Sequence, residues 1–386
     1  MKLAKRVQAV EPSATLAITA QTKRMKAEGI DVIDFGAGEP DFQTPAFIKE
    51  AGKVSIDEDF TRYTPVSGIE ELRLAICEKF KEDNRLNYPS SRIVVTCGAK
   101  HALYNIFQVL CEEGDEVIIP SPYWVSYPEM VRLSGAKPVI VRLDAKSDFK
   151  LTRKDLEASI TSKTKAIILN SPSNPTGAVY SRDELEMVAD LAVARGIWVI
   201  SDEIYEKIIY DGTEHVSIAS LNEGIFRWTI VVNGVSKTYS MTGWRIGYLA
   251  GPEELAQAVG KLQSHSTSNP TSISQKAALA ALQGDKSCVA KMVKEFARRR
   301  DYMVERIEKI DKLSCIKPKG AFYLFCDISK LWMGSLSLAK ALLDEAKVAV
   351  IPGRGFGWDT HIRLSFARRM EAIKEGMDRI ERWVRR

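Results

Sequence analysis

Lys237 is the residue whose surroundings in the sequence point most directly to chemistry. It follows an apolar, β-branched run at 229–232, and Ser236 and Arg245 lie near it in a loop that glycines interrupt. A lysine amine can form a Schiff base with an aldehyde, while a hydroxyl and a guanidinium can hold a phosphate. This combination favours a site for a phosphorylated aldehyde. The alternative is an ordinary polar loop whose lysine is solvated, because short motifs also occur by chance.

Other polar segments directly follow short apolar runs, as the Lys237 loop does. They occupy residues 96–100, 170–177 and 201–205. In a parallel sheet, ligands bind at the carboxyl ends of the strands, so four such loops are expected to converge at one sheet edge. Each loop taken alone is also explained as a turn or a helix cap.

Seven short β-branched runs are the elements that must position these loops. They lie at 93–95, 117–119, 139–141, 167–169, 198–200, 230–232 and 248–250. Spacers of crossover length predict a mostly parallel seven-stranded sheet covered by helices on both faces. After about residue 275, long helical patterns alternate with short strand-like runs at 322–325 and 348–351, which predicts a smaller α+β domain.

The chain is therefore expected to be an α/β protein with two domains, which suits its 386 residues. We expect the large domain over residues 46–279 and the small domain over 280–386. Residues 1–45 are expected to form an N-terminal arm that also contributes to the small domain.

Composition excludes several other classes of function. The net charge of +5 is small and its basic residues are scattered, so nucleic acid binding has no support. The first residues have no apolar core of signal-peptide length and no apolar run approaches about 18 residues, so neither a signal peptide nor a membrane span is expected. Four histidines without metal-binding spacing argue against a catalytic metal. Six widely spaced cysteines are typical of reduced thiols, and we expect a cytoplasmic location.

Taken together, the motifs resemble those of class I aminotransferases in the fold-type-I pyridoxal-phosphate (PLP) superfamily. The likeness covers nearly the whole chain, and its motifs occur in the family's order at 63–73, 98–100, 121–124, 174–177, 202–205, 236–237, 243–247 and 363–366. The resemblance implies the fold described above and PLP as the cofactor.

The resemblance also implies catalytic roles. Lys237 is expected to bind the cofactor covalently and then to move a proton as acid and base. Asp202 is expected to face the pyridine nitrogen and keep it protonated, so that the ring withdraws electrons. Tyr205 and Asn174 would hydrogen-bond the ring oxygen, and Trp124 would stack on the ring. The alternative for Trp124 is a tryptophan of the core, and for Asp202 a cap or an ion pair.

The phosphate of the cofactor is expected at the start of a helix. Gly98 and Ala99 would offer backbone amides there, because N–H groups and the helix dipole favour an anion. Ser236 and Arg245 would complete the cradle beside Lys100. In the family, the residue matching Tyr63 reaches this phosphate from the neighbouring subunit, which implies a homodimer with active sites at the subunit interface.

Substrate binding requires further groups. Arg363 matches the arginine that holds the α-carboxylate with its planar fork, assisted by Asn174 and the backbone of Gly38, with Trp124 alongside. Within the family, thermophile-type bacterial aspartate aminotransferases carry a lysine for the distal carboxylate where Lys100 stands. Ser13 and Thr15 match the hydroxyls that assist it. The alternatives are that Arg363 is a surface strand residue and that Lys100 merely faces solvent.

The expected reaction is transfer of the amino group of aspartate to 2-oxoglutarate by a ping-pong cycle, giving oxaloacetate and glutamate. Aromatic or prephenate transamination and PLP-dependent C–S lysis are alternatives on the same fold. Glu11 is acidic where relatives that accept prephenate carry a basic residue, which weakens the prephenate alternative. A PLP-binding regulatory module is a further alternative, from a different class.

The sequence also predicts cis peptide bonds at Ser121–Pro122 and Asn174–Pro175. Both prolines lie in tight loops that must aim a side chain at the cofactor, and X–Pro bonds tolerate the cis form.

Overall fold

The computed structural model describes residues 3–10 and 14–386, and of residues 14–17 only the backbone. The α-helices of this part of the chain are α1 Lys5–Gln8, α2 Ala14–Ala27, α3 Ala46–Asp57, α4 Glu70–Asn84, α5 Ala99–Leu110, α6 Tyr127–Leu133, α7 Arg153–Ser159, α8 Arg182–Arg195, α9 Glu223–Phe226, α10 Glu253–Ser264, α11 Ser272–Gln283, α12 Ser287–Glu308, α13 Ser335–Ala341 and α14 Met370–Val384. A π-helical turn, Leu342–Ala346, follows α13. Among the described residues, no helix combines the length and the apolar character that a membrane span requires.

The strands fall into three sheets. They are β1 Ile33–Asp34, β2 Ile93–Thr96, β3 Glu116–Ser121, β4 Lys137–Arg142, β5 Thr164–Asn170, β6 Trp198–Asp202, β7 Thr229–Gly234, β8 Gly247–Ala250, β9 Ser314–Cys315, β10 Tyr323–Asp327, β11 Val348–Ala349, β12 Ile351–Pro352 and β13 His361–Ser365. The large sheet has the order β2-β8-β7-β6-β5-β3-β4. Each of the seven predicted runs contributes one strand to it, so the predicted mostly parallel sheet is confirmed.

Strand β8 is the exception to the parallel arrangement. It pairs antiparallel with both β7 and β2, whereas β7, β6, β5, β3 and β4 pair parallel in turn. The segment between β7 and β8 holds only a short 3₁₀ turn at Thr242–Trp244 and no crossover helix. The chain therefore returns beside β7 in the opposite direction, and the Lys237 loop lies in this reversal.

Helices cover both faces of the large sheet. Val94 and Val232 pack in one cluster with residues of α5 and α10, whereas their neighbours Val95 and Val231 pack in another with α4 and α11. Successive side chains of a strand point to opposite faces, so a strand buried on both sides reads as a continuous apolar run. This burial explains why the runs were so clear in the sequence.

The second sheet, β12-β13-β10-β9, is antiparallel and packs with the C-terminal helices. Val32 and Phe35 from the N-terminal part of the chain lie in the same apolar cluster, and β1 pairs parallel with β11. The prediction of a single strand over residues 348–351 is wrong. The chain leaves the β1–β11 pair at Val350 and enters the second sheet as β12, so one apolar run serves two sheets. The domain boundaries at 45 and 279 stay a prediction.

Close approach between β8 and α5 fixes the start of that helix. A Cβ added at Gly247 would overlap the backbone of Gly98 and Ala99, which a shift of a flexible side chain cannot relieve. Strand β8 therefore needs glycine at this position to let the first turn of α5 lie directly beside it.

We predict that Gly247→Ala lowers the free energy of unfolding by about 1–3 kcal/mol, the usual cost of overpacking. Urea denaturation followed by circular dichroism measures this. Gly251→Ala is the matched control in the same region, because its nearest neighbour, a side-chain carbon of Ile230, is 3.5 Å from the added Cβ. Equal stability of the two variants would contradict the close approach.

Candidate active site

A cavity of 490 Å³ opens where the large sheet meets the second sheet. The ends of β5 and β6, the loop after β7 and the start of α5 line one side of it, and β10 and β13 line the other. The cavity brings together most of the predicted site residues: Gly38, Ala99, Lys100, Trp124, Asn174, Asp202, Tyr205, Ser236, Lys237, Arg245 and Arg363.

Lys237 extends its amine into this cavity. Its Nζ donates a hydrogen bond to the backbone oxygen of Gly38 at 2.6 Å and lies 6.0 Å from the ring centroid of Tyr205. Loss of hydration, partly offset by Glu39 and reinforced by Arg363 and Arg245, lowers the pKa of Lys237 to about 8. An amine with this pKa can both accept and donate a proton near neutral pH.

Asp202 is the last residue of β6 and its carboxyl is buried. Tyr127 donates a hydrogen bond to Oδ2 at 2.7 Å, and the backbone N–H of Ile204 donates to Oδ1 at 3.3 Å. Burial raises the pKa of Asp202 to about 6, although both hydrogen bonds and the charge of Lys237 act in the opposite direction. A buried carboxylate of this kind gains from a cationic partner.

The start of α5 forms an anion-binding corner. Gly98 has φ +83°, and a Cβ there would overlap the guanidinium of Arg245. Arg245 has a left-handed backbone and donates hydrogen bonds to the backbone oxygens of Thr242 and Cys97 at 3.0 and 3.1 Å. Backbone amides of the first turn of a helix, a guanidinium and the hydroxyl of Ser236 suit a phosphate group.

Arg363 lies on the opposite side of the cavity, in β13, and is buried. Its guanidinium donates to Oδ1 of Asn174 at 3.0 Å and to the backbone oxygen of Gly36 at 2.8 Å. It also stacks on Tyr323, 4.3 Å from the ring centroid. Its Nε is buried without a hydrogen-bond partner among the described residues. A buried guanidinium with an unused donor suits a carboxylate ligand.

Two loops beside the cavity contain the predicted cis bonds. Ser121–Pro122 and Asn174–Pro175 are both cis, as predicted, and Ser171–Pro172 is cis as well. Asn170 holds the second loop: its side chain accepts from the backbone N–H of Asn174 at 2.8 Å and donates to the backbone oxygen of Asp202 at 3.0 Å.

Lys100 lies at the mouth of the cavity in the first turn of α5. Its Nζ is 4.8 Å from the ring centroid of Trp124, and the residue is otherwise exposed. Partial loss of hydration and the charge of Arg245 lower the pKa of Lys100. Ser13 and Glu11 lie outside the described residues, and so does the side chain of Thr15.

Tyr63 does not line the cavity of the single chain and is 91% exposed. Gly98 does not line the cavity either, but its backbone forms part of the anion-binding corner.

Several residues that line the cavity were not predicted as site residues from the sequence. Tyr127 donates a hydrogen bond to Asp202. The hydroxyl of Tyr323 is hydrogen-bonded to the hydroxyl of Tyr205 at 2.9 Å. Asn170 and Thr19 also line the cavity. Asn170 could have been found, since it is the first polar residue after an apolar run. Tyr127 and Tyr323 carry no such signal, because they resemble ordinary core aromatics.

The lowered pKa of Lys237 gives a direct prediction for the cofactor-free protein. At pH 8 about half of the Lys237 amines should be neutral, against about 0.3% for a lysine with an ordinary pKa near 10.5. The rate of acylation at Lys237 should therefore rise with pH through a midpoint near 8, as measured by peptide mass spectrometry. Exposed Lys312 in the same sample is the reference. A midpoint above pH 9.5 for Lys237 would contradict the burial of its amine.

The comparisons with known proteins agree with this geometry. The model of the family "Aminotransferase class I and II" matches residues 30–380. An aspartate aminotransferase from Bacillus sp. (strain YM-2) is 52% identical over 99% of this chain and 99% of its own length. A probable aspartate/prephenate aminotransferase from Aquifex aeolicus is 49% identical over 98% of both chains.

A solved structure is also similar throughout. The aspartate aminotransferase from Thermus thermophilus with maleate superimposes with a TM-score of 0.96, at 41% identity over 99% of each chain. The match of sequence and fold spans both sheets and the cavity between them. The chain is therefore a member of the class I and II aminotransferase family.

Proposed function

We propose that this protein is a PLP-dependent aspartate aminotransferase that transfers the amino group of aspartate to 2-oxoglutarate. The observation that carries this proposal is that one cavity holds the Lys237 amine, the Asp202 carboxyl and the Arg363 guanidinium. These are a base, a partner for a cationic ring and a carboxylate anchor. The names of the relatives from Bacillus and Thermus support aspartate as the amino donor.

The residues present fit PLP. Gly98, Ala99, Ser236 and Arg245 form a corner suited to its phosphate, and a side chain at position 98 would collide with Arg245. The buried carboxyl of Asp202 suits its protonated ring nitrogen, and Lys237 supplies the amine for its aldehyde carbon. When bound, PLP would act as an electron sink for the bond that breaks at the substrate α-carbon.

The remaining steps belong to side chains of this chain. Arg363, oriented by Asn174 and Gly36, would hold the α-carboxylate of the substrate. Lys237 would accept the proton from the α-carbon of the substrate and would later donate a proton in the same reaction. An amine with a pKa near 8 can act both as a base and as an acid. Tyr127 would keep the Asp202 carboxylate in place. The 2-oxo acid would then bind in the same way and reverse these steps, which gives a ping-pong cycle.

Lys100 is proposed as the anchor of the distal carboxylate. It lies in the same cavity as Arg363, and Thr19 of α2 contributes a second polar group to the lining. The α-carboxylate is common to all amino acids, so a preference for aspartate needs a cation of this kind. Aspartate/prephenate aminotransferases among the relatives keep prephenate as a second candidate substrate.

We further propose a cytoplasmic homodimer with active sites at the subunit interface. Tyr63 is an almost fully exposed aromatic residue, and exposed Phe47 and Val54 lie seven residues apart on one face of α3. An exposed apolar surface of this kind is typical of an interface between subunits. All six cysteines are free thiols in the structure, which supports a reducing compartment.

Lys237→Ala tests the proposed reaction. The purified wild-type protein should be yellow, and borohydride should bleach it and attach the cofactor to Lys237, as peptide mass spectrometry would show. Lys237→Ala should lose the covalent attachment and more than about 100-fold of its turnover, because it removes both the amine and the base. An unchanged circular dichroism spectrum controls for folding. Wild-type turnover in this variant would refute the assignment.

Lys100→Ala tests the choice of substrate. The variant should lose about 10- to 100-fold in kcat/KM for aspartate, which corresponds to the roughly 1.5–3 kcal/mol of a hydrogen bond to a charged group. Turnover of alanine and phenylalanine should change little, because neither has a distal carboxylate. A loss that is equal for all three amino donors, or no loss at all, would show that Lys100 is not the distal anchor.

A further inference from the structure

Two cysteines that do not line the active-site cavity face each other across two strands of the second sheet. Cys315 of edge strand β9 is the direct partner of Cys326 in β10, and this pair of strands is antiparallel. Directly opposed residues of such strands have Cα atoms about 4.5–5.5 Å apart. Disulfides form at Cα separations of about 4.4–6.8 Å, so the backbone already has the spacing of a disulfide.

The side chains are also in contact. Opposed residues of an antiparallel pair project from the same face of the sheet. The two thiols are hydrogen-bonded to each other, and both are free in the structure. No large movement of either strand is needed to join the two sulfur atoms.

The two thiols differ in access to solvent. Cys326 is fully buried in the apolar cluster of the second sheet, whereas Cys315 is partly exposed at the sheet edge. The hydrogen bond to Cys315 and then burial raise the pKa of Cys326 well above its usual value. A dissolved oxidant can therefore reach Cys315 first, and Cys326 is protected until its neighbour has reacted.

We propose that Cys315 and Cys326 form an oxidation site that closes to an intrachain disulfide when the protein meets a hydroperoxide. The Cys315 thiolate attacks one peroxide oxygen, the O–O bond breaks and the second oxygen leaves as water after protonation. Cys315 is then a sulfenic acid. The sulfur of Cys326 attacks the sulfur of Cys315, the S–O bond breaks and a second water leaves. Two thiols are oxidised to one disulfide, and one hydrogen peroxide is reduced to two waters.

The disulfide would secure the loop between β9 and β10, which contacts a loop that follows β5 of the large sheet. The ring between the cysteines contains Gly320, whose backbone N–H donates to the backbone oxygen of Gly177 at 2.9 Å, beside the Asn174–Pro175 loop. Strand β9 has only two residues and lies at the edge of its sheet. Neither cysteine lines the active-site cavity, so the oxidised protein keeps its transaminase activity while this edge becomes more stable.

Peptide mapping of the whole protein tests the proposal. The protein is treated with one equivalent of hydrogen peroxide, its remaining thiols are alkylated, and it is digested with trypsin without reduction. Cleavage after Lys319 separates the two cysteines, so a disulfide links peptide 313–319 to peptide 320–330. We expect this linked pair to contain most of the Cys326. Alkylated Cys326 beside over-oxidised Cys315, or linkage of Cys315 to any other cysteine, would overturn the proposal.

Thermal denaturation of the same samples gives an independent readout. Closing a loop of this length should raise Tm by about 3 °C, from the chain entropy that a disulfide removes and the unfolding entropy of a chain of this size. Cys315→Ser should show no rise on oxidation, while the matched control Cys77→Ser should show the full rise. If oxidation raised the Tm of Cys315→Ser by the same amount, the effect would come from another site and the proposal would be refuted.

Discussion

Loss of hydration at one amine is the constraint on which the rest of this site depends. Lys237 lies on a loop between two buried strands, and its Nζ is held against the backbone oxygen of Gly38 from a distant part of the chain. Water is the best solvent for an ammonium ion, so removing it favours the neutral amine and brings the pKa to about 8. The charges of Arg363 and Arg245 act in the same direction, and Glu39 and Asp202 moderate the effect.

The same burial has the opposite consequence for Asp202. A carboxyl in the sheet interior loses its hydration and its pKa rises to about 6, which Tyr127 and the N–H of Ile204 only partly offset. At neutral pH most of this carboxyl is still ionised. The cavity thus contains an amine that is easily deprotonated and a carboxylate that lacks water, and a cationic aromatic ring would compensate the loss of hydration at the carboxylate. The pKa of the amine falls and the pKa of the carboxyl rises because the same cavity removes water from both groups.

Arg363 connects the two halves of the structure. It extends from β13 of the second sheet, yet its partners are Asn174 after β5 and Gly36 after β1. Because these hydrogen bonds join segments that are far apart in sequence, the guanidinium is oriented only when both sheets are in place. The close approach of Gly247 to Ala99 plays a similar part for the anion-binding corner, since it sets the position of the first turn of α5.

The seven strands of the large sheet, the loops that follow them and the family of the chain could all be predicted from the amino-acid sequence. Strands buried on both faces appear as continuous apolar runs, and glycine, proline and charged residues just after them mark a site. These signals are local. Lys237, Asp202 and Arg363 could be named because each stands in a short motif with its own chemistry.

The residues that complete the site could not be predicted in this way, because they come together only through contacts between distant segments. Tyr127 and Tyr323 are aromatic residues in apolar surroundings, and nothing nearby in sequence shows that their hydroxyls meet Asp202 and Tyr205. The split of 348–351 between two sheets and the reversed direction of β8 depend in the same way on pairing with distant strands. Cys315 and Cys326 are eleven positions apart in sequence, and strand register alone makes them neighbours. Pairing and register are set by packing across the whole chain, and a local pattern does not contain that information.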